Sequence, residues 1–323
     1  MLAVRVNRFG GPEVLVAEQL PEPVAGPGQV VVGVAVAATD FVQTQLRRGF
    51  TPGPPLPEPP YVPGGTVAGE VVSVGEGVDP GWLGRHVVTR TSDGYGGHAE
   101  RAVADEAALV PVPAGVGLRE AAALLDDGST ALGLVDNAPV APGEWVLVEA
   151  AGGGVGSVLV QLASSAGARV IGAARGERKL AQVAELGAEQ VVDYTEPDWA
   201  EKVRAIIGGG PDLVFDGVGG EIGRAAFEVT ARGGRFSVHG ASSGTATEVD
   251  PAEARRRGVE VLPLSQLYGL QHGVEKRAER VLAAVAAGAL RPLIGQTFPL
   301  DRAAQAHAAM ESRSVVGKTL LTT

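Results

Sequence analysis

The stretch Trp145-Val-Leu-Val-Glu-Ala-Ala-Gly-Gly-Gly-Val-Gly156 passes from an apolar run into a glycine cluster, and a helical pattern starts at about Val155. Glycines in that place let the backbone close on a pyrophosphate, and the helix behind them offers unpaired N–H groups to the anion. In a chain with 47 Gly, a glycine cluster alone would serve equally well as a structural turn. The context decides, because strand, turn and helix recur. Arg169–Gly172 is followed by a helical stretch around Lys179–Leu186, Gln190–Asp193 by one near Asp198–Ile207, and Asp212–Asp216 by one from Gly220. Gly234–Val238 and an edge run Val259–Pro263 close the series. Strands apolar on both faces that alternate with helices predict a doubly wound parallel sheet, an α/β fold. Gly153, Gly154 and Val155 are the candidate pyrophosphate contacts.

Outward from this unit the texture changes. The first 120 or so residues read as β-structure: Val30–Val36 and Val71–Val74 are β-branched runs, and Gly26-Pro-Gly28, Gly75-Glu-Gly77 and Gly94-Tyr-Gly-Gly97 fall where turns belong. Thr51–Pro63 carries seven prolines, which excludes a helix or a central strand. It reads as a stiff surface loop, with a polyproline ligand for another protein as the alternative. Beyond the alternating unit, Val274, Ala278, Val281, Leu282 and Val285 form one apolar helical face, and Ile294–Leu300, a short helix from Asp301 and Gly317–Leu321 complete the chain. These last pieces return to the first domain, which makes the alternating unit an insertion.

Lys and Arg total 27 against 37 Asp and Glu, a formal charge of −10 that disfavours nucleic-acid binding as the main task. The amino terminus turns polar too soon for a secretory leader. The longest apolar run, Val30–Ala38, falls far short of the roughly 20 residues of a spanning helix. The expectation is a soluble, cytoplasmic protein with no membrane partner. At 323 residues two domains are the better prior. The absence of Cys rules out disulfides, thiolate-ligated zinc, iron–sulfur clusters and a Cys nucleophile.

The residue that ends the strand after a dinucleotide turn selects the cofactor: an acid accepts from the ribose 2′-hydroxyl, whereas a base pairs with a 2′-phosphate. This chain reads Ala173-Ala-Arg-Gly-Glu-Arg-Lys179, with Arg175 where the acid would stand and Lys179 one turn further on. Cations at a helix start oppose its dipole, so solvation alone gives them no local reason to be there. The pattern predicts NADPH rather than NADH.

Glu144–Gly156 resembles the cofactor turn of the zinc-independent medium-chain dehydrogenase/reductases, in particular the NADPH:quinone oxidoreductase group. Phe9-Gly-Gly-Pro-Glu-Val14, Pro63-Gly-Gly-Thr-Val-Ala-Gly-Glu-Val71, Gly84-Arg-His-Val87, Gly96-Gly-His-Ala-Glu100, Gly128-Ser-Thr-Ala131, Asp216-Gly-Val-Gly219, Gly233-Gly-Arg-Phe236 and Gly317-Lys318 are similar to that family's motifs, in order, along essentially the whole chain. Arg85 stands where Asp is usual. The resemblance implies a GroES-like β-rich catalytic domain (1–122 and 266–323) with an inserted Rossmann domain (123–265) and an active site in the cleft between them. It also implies a homodimer, through the edge near Val259–Pro263. Tyr194 matches the residue beside the adenosine phosphate, Lys179 the 2′-phosphate lysine, and Thr130, Val218, Gly240 and Ser242 the nicotinamide lining. His239 replaces an aromatic, either as a neutral packed imidazole or as a base. Asp40 falls at the usual Asn or Ser beside the nicotinamide and Gln45 at a common Tyr. Asp40 reads equally as the N-cap of a helix from Phe41. Tyr61, Tyr95 and Tyr268 either line an acceptor pocket or pack.

Zinc-dependent relatives place a Cys just before positions 39–40 and a His-Glu pair after the Pro-Gly segment, where this chain has Ala37-Ala38 and Gly65-Thr66. With five His and no HxxxH, no catalytic metal is expected. Alcohol oxidation would then lack its usual stabiliser of an alkoxide, whereas reduction of a quinone or an activated C=C needs none. The expected activity is metal-free hydride transfer from NADPH to a quinone or enone. The alternatives are a pathway-specific enoyl or 2-alkenal reductase, and a non-catalytic NADPH-binding protein of the same fold.

Overall fold

The apolar runs and glycine turns between Trp145 and Leu262 build a six-stranded, wholly parallel sheet. Its strands are β1 (Trp145–Glu149), β2 (Arg169–Ala174), β3 (Gln190–Asp193), β4 (Leu213–Asp216), β5 (Arg235–Val238) and β6 (Glu260–Leu262). The helices after the first five are α1 (Gly154–Ser165), α2 (Glu177–Glu185), α3 (Trp199–Ile207), α4 (Gly220–Val229) and α5 (Pro251–Arg257). The computed structural model describes residues 1–51 and 55–323. In it the strands lie in the order β3-β2-β1-β4-β5-β6, so the winding reverses between β1 and β4. Ligands of doubly wound sheets bind outside the carboxyl ends of the strands at such a reversal.

Every residue of β1 and of β4 is buried. The helices press Phe227, Val203 and Trp199 onto one face of the sheet, where Phe227 meets Phe236 edge to face at 5.4 Å. The sheet belongs to a compact unit, Asp127–Val274.

The other unit combines Met1–Asp126 with Glu275–Thr323. Its seven-stranded sheet centres on the 11-residue strand Gln29–Thr39. That strand pairs antiparallel with Thr66–Val74, Arg101–Asp105 and the carboxyl-terminal Lys318–Thr322, while Ile294–Pro299 adds a parallel edge. Segments from before and after the inserted unit therefore build one sheet, while Leu2–Val6 pairs with Leu15–Gln19 in a separate two-stranded one. Val71–Val74, read as a strand of its own, is the second half of Thr66–Val74. The 20-residue helix Leu118–Asn137 has no counterpart in the expected elements. Its buried run Ala121–Leu125 is continuous rather than periodic, and Asp126-Asp127-Gly128 then interrupts the apolar pattern. Of the proline-rich loop, residues 52–54 lie outside the described residues, and the polyproline ligand reading falls partly on them. Pro55–Pro60 is neither helix nor strand, and Tyr61 bridges to Val6.

A polar cluster is sealed inside this unit. The Arg47 side chain is 0% exposed; it donates to His307 Nδ1 (3.3 Å) and to the Gly10 carbonyl (2.7 Å), and it pairs with Glu311. His98, also 0% exposed, lies edge-on to His307 at 6.4 Å, with its Nε2 3.3 Å from the Ala38 carbonyl. Burial pushes the His98 imidazole down to about 4. Burial, then His98 and Arg47, push His307 well below the ordinary value. A histidine whose folded pKa lies below its unfolded 6.5 contributes stability above pH 6.5 that is lost as pH falls toward 4. The urea midpoint is expected to drop across that window, and His98→Gln to lessen the slope. Superimposable wild-type and variant profiles between pH 6.5 and 4 would contradict the assignment.

Candidate functional site

The glycine turn leaves β1 through Ala150, a non-glycine residue at φ 49°. Such a backbone costs of order 1 kcal/mol or more and needs support. The Gly153 N–H supplies it by donating to the Ala150 carbonyl at 2.8 Å. Gly153, which has no side chain of its own to cap with, is the N-cap of α1. Gly154 and Val155 follow in its first turn, partly buried. A Cβ on Gly156 would lie 2.4 Å from the Ala150 carbonyl oxygen, and one on Gly154 would lie 1.8 Å from Asp127 Oδ2. The turn is therefore a cradle that side chains would fill, with a helix N-terminus behind it; this fits a dinucleotide pyrophosphate. Thr130 lies one turn beyond Asp127 on the helix Leu118–Asn137.

At the end of β2, Arg175 is exposed and Gly176 (φ 79°) starts α2. The stem of Lys179 lies over Gly152, where a Cβ would come within 3.0 Å of it, so this lysine packs directly on the cradle. Asp193, at the end of β3, was not among the expected site residues. Its Oδ2 accepts the Gly176 N–H (2.8 Å), and its Oδ1 accepts the N–H (2.9 Å) and hydroxyl (2.6 Å) of Thr195. Burial would raise the Asp193 carboxyl, but these bonds and the charge of Arg175 outweigh it and hold the group below its ordinary value. Its Oδ2 thus fixes the turn that presents Arg175, and its Oδ1 the turn that follows Asp193 itself. Tyr194 follows it, partly buried against the core.

The third strand end is organised by Asp216, a residue quoted in a motif but given no role. Its Oδ1 accepts the N–H groups of Val218 (2.9 Å) and Gly219 (2.8 Å), and its Oδ2 accepts the Thr247 hydroxyl. Its carbonyl accepts the N–H groups of His239 (2.8 Å) and Gly240 (3.2 Å). One aspartate thus gathers Val218, His239 and Gly240. The Val218 carbonyl in turn takes the Ser243 N–H (2.9 Å), which brings Ser242 along. A Cβ on Gly240 would lie 2.4 Å from the Gly217 carbonyl oxygen, so only glycine lets the two loops close. The His239 ring packs edge-on to Phe215 at 6.5 Å. Burial pushes its pKa down to about 4 against the opposing pull of Asp216, which leaves the imidazole neutral.

In the other unit, Asp40 stands at the N-cap position of the helix Phe41–Arg47, yet its side chain caps no N–H. It pairs instead with Lys318, which is 5% exposed. Beside this pair Asp126 takes Arg90 Nε (2.6 Å) and the Thr66 hydroxyl. Burial would raise Asp126, but Arg90, Thr66 and Lys318 outweigh it and hold the carboxyl low. Gln45 lies on the same helix, partly buried, with its carbonyl accepting from Arg48 and Phe50. Tyr61 and Tyr95 pack edge to face at 5.6 Å, and Tyr268 is 64% exposed. Among the described residues no group of three or more His, Asp or Glu side chains is placed to hold a metal ion. No helix described is long and apolar enough to cross a membrane.

Residues 26–114 match the family described as alcohol dehydrogenase GroES-like domain, and residues 186–321 the one described as zinc-binding dehydrogenase. The quinone oxidoreductase of Sus scrofa is 32% identical, with 99% of this chain and 97% of that protein covered. The 2-haloacrylate reductase of a Burkholderia species is 31% identical, with 99% and 98% covered. A mycobacterial protein solved in complex with NADPH superposes with a TM-score of 0.91 at 33% identity, with both chains covered completely.

Removing one partner of a buried ion pair strands the other charge. Lys318→Met is expected to lower unfolding free energy by about 3 kcal/mol, the low end for such a loss, because Asp40 is partly exposed. Denaturant titration reads it; a change under about 0.5 kcal/mol would mean that the pair holds nothing together.

Proposed function

The chain belongs to the zinc-independent quinone oxidoreductase group of the medium-chain dehydrogenase/reductases, and from that membership we propose that it reduces a quinone or related conjugated carbonyl with NADPH. The observation that carries the cofactor is the placing of Lys179 on the glycine cradle, with exposed Arg175 at the mouth of the same helix. When bound, NADPH supplies the hydride. The first-turn N–H groups of Gly154 and Val155 hold its pyrophosphate, and Arg175 and Lys179 its 2′-phosphate. Tyr194 flanks the adenosine end. Thr130, Val218, His239, Gly240 and Ser242 line the nicotinamide end, with the loop bearing Val218 fixed by Asp216.

Asp40 and Gln45 are assigned to the acceptor. The Asp40 carboxyl is engaged by Lys318 Nζ. No Cys is present, and Ala37, Ala38, Gly65 and Thr66 carry no zinc ligand, so the acceptor is activated by its own conjugation. One finding favours a second acceptor class, an activated C=C without a quinone ring: the full-length match to a 2-haloacrylate reductase. The proposal places the protein in the cytoplasm as a homodimer, with the outer edge of β6, which closes the sheet, open to a second copy.

Turnover of NADPH with a panel of quinones and 2-substituted acrylates tests the reading. Activity toward one of the two classes, undiminished by EDTA, is expected. Activity toward neither would leave the non-catalytic alternative, and loss with EDTA that zinc restores would overturn the metal-free assignment.

Arg175→Glu combined with Lys179→Ala should weaken NADPH selectively, by about 1.5–3 kcal/mol per charged hydrogen bond lost. An unaltered preference for NADPH over NADH would remove the 2′-phosphate assignment.

A further inference from the structure

Glu149 ends β1 at the reversal of strand order and is 0% exposed, yet no donor group of the described residues reaches either of its carboxyl oxygens. Its neighbour across the sheet is another acid. The parallel register pairs Val148 with Phe215, so Glu149 and Asp216 follow on the same face of adjacent strands. Asp216 is also 0% exposed, but it accepts three donors. A second carboxylate beside it, buried and without a donor, would bear both the desolvation penalty and the repulsion. The pair therefore holds one proton, and that proton sits on Glu149. Burial first, and the Asp216 charge second, push its pKa well above the ordinary value.

Few other groups face Glu149. From β2 its register partner is Ala173, and beyond Asp216 stands the neutral His239 ring, whose Nδ1 is buried and unpartnered. On the cradle side Asp127 packs at Gly154 and the Lys179 stem at Gly152. Among the described residues, Asp216 is the acid that the strand register sets beside Glu149.

We propose that Glu149 is a positioning residue for the dinucleotide: as a neutral acid it offers its proton to Asp216, and so keeps that carboxylate and the Val218–Gly219 turn in the arrangement that accepts the nicotinamide end. The inference rests on the NADPH reading above. Ionisation of Glu149 places two like charges side by side in the core, and the group free to move is the side chain on which Val218 and Gly219 hang. The dinucleotide site then loosens as pH rises, with one proton linked to the loss.

The test is NADPH affinity, read from the fluorescence of the bound dinucleotide, from pH 6 to pH 10 for wild type and Glu149→Gln. Gln keeps an N–H donor toward Asp216 and cannot ionise. Wild-type affinity is expected to fall by up to about tenfold per pH unit on the alkaline limb, the limit for one linked proton. Glu149→Gln should bind without that limb. An alkaline limb of equal position and depth in both proteins, or none in either, overturns the proposal.

A second measurement separates it from the cofactor reading and needs only wild type and variant without NADPH. A carboxyl with a raised folded pKa contributes stability that is present below its unfolded value of 4.5 and lost as pH rises toward the folded value. The Glu149→Gln protein should therefore gain thermal stability over wild type progressively above pH 4.5. If NADPH fails to bind at any pH while this gain appears, the cofactor reading has failed and the proton on Glu149 stands. A constant difference across pH refutes the proton. Should Glu149→Gln not fold, Asp216→Asn removes the repelling charge, and its stability profile should show a smaller alkaline loss than wild type, because the burial of Glu149 remains; an unaltered loss refutes the coupling to Asp216.

Discussion

Where the winding of the parallel sheet reverses, between β1 and β4, the loops leaving the strands part in opposite directions and no crossover covers the strand ends. Three helices begin along this edge, α1, α2 and α4, each from a glycine N-cap and none capped by its own side chain. A helix start leaves N–H groups that some acceptor must meet. At α2 the acceptor is Asp193, through the Gly176 N–H, and at α4 it is Asp216, through the Gly219 N–H. At α1 the Asp127 carboxylate lies against Gly154 in the first turn, where a Cβ would come within 1.8 Å of its Oδ2. The rest of the site follows from this edge: two helix starts are answered by the acid that ends a strand, and the middle one is the glycine cradle itself.

The internal answers have a cost, because each imports a carboxylate into low-dielectric surroundings. Asp193 lies near the surface and has Arg175 nearby. Asp216 lies at the centre of the sheet with no cation among its bonded partners, only backbone N–H groups and a hydroxyl. Such a charge tolerates neutral polar neighbours and no second anion. Glu149 and His239 beside it are both held neutral by burial, from opposite directions of titration. The other unit handles its buried polar groups differently, with opposite charges in contact: Arg47 with Glu311, Arg90 with Asp126, and Lys318 with Asp40.

What the sequence reveals of this arrangement is what lies close together along it. The strands β1 to β5 are four to six residues long with apolar centres, and the cradle has glycines a few positions apart, so local pattern and turn chemistry find them. Arg175 and Lys179 are legible for the same reason. Asp193 is 17 residues from the Gly176 it binds, and Lys318 is 278 residues from Asp40. No local pattern links such partners; only the order of strands in space does. Asp40 shows the consequence: a local rule assigns it a helix cap, and a strand from the far end of the chain supplies a lysine that claims the side chain instead. Glu149 was legible as the last residue of a strand, but its missing partners are a property of the folded core and have no sequence signature.

The distribution of charge along the strand ends also bears on where a phosphate settles. Asp193 and Asp216 place negative charge at the starts of α2 and α4, where the helix dipoles would otherwise attract anions. They offset that attraction on either side of α1. Arg175 and Lys179 then stand to one side of α1 only, toward β2 and away from Asp216. An anion with a pyrophosphate and a further phosphate at one end finds a single orientation in which both are met: pyrophosphate over Gly153–Val155, the extra phosphate toward β2, and the uncharged amide end toward β4. There the residues are Val218, Gly240 and a neutral imidazole. A second ionised carboxyl at Glu149 would spoil this gradient where it must be least charged for the amide, which gives the strand end a reason to carry its acid protonated.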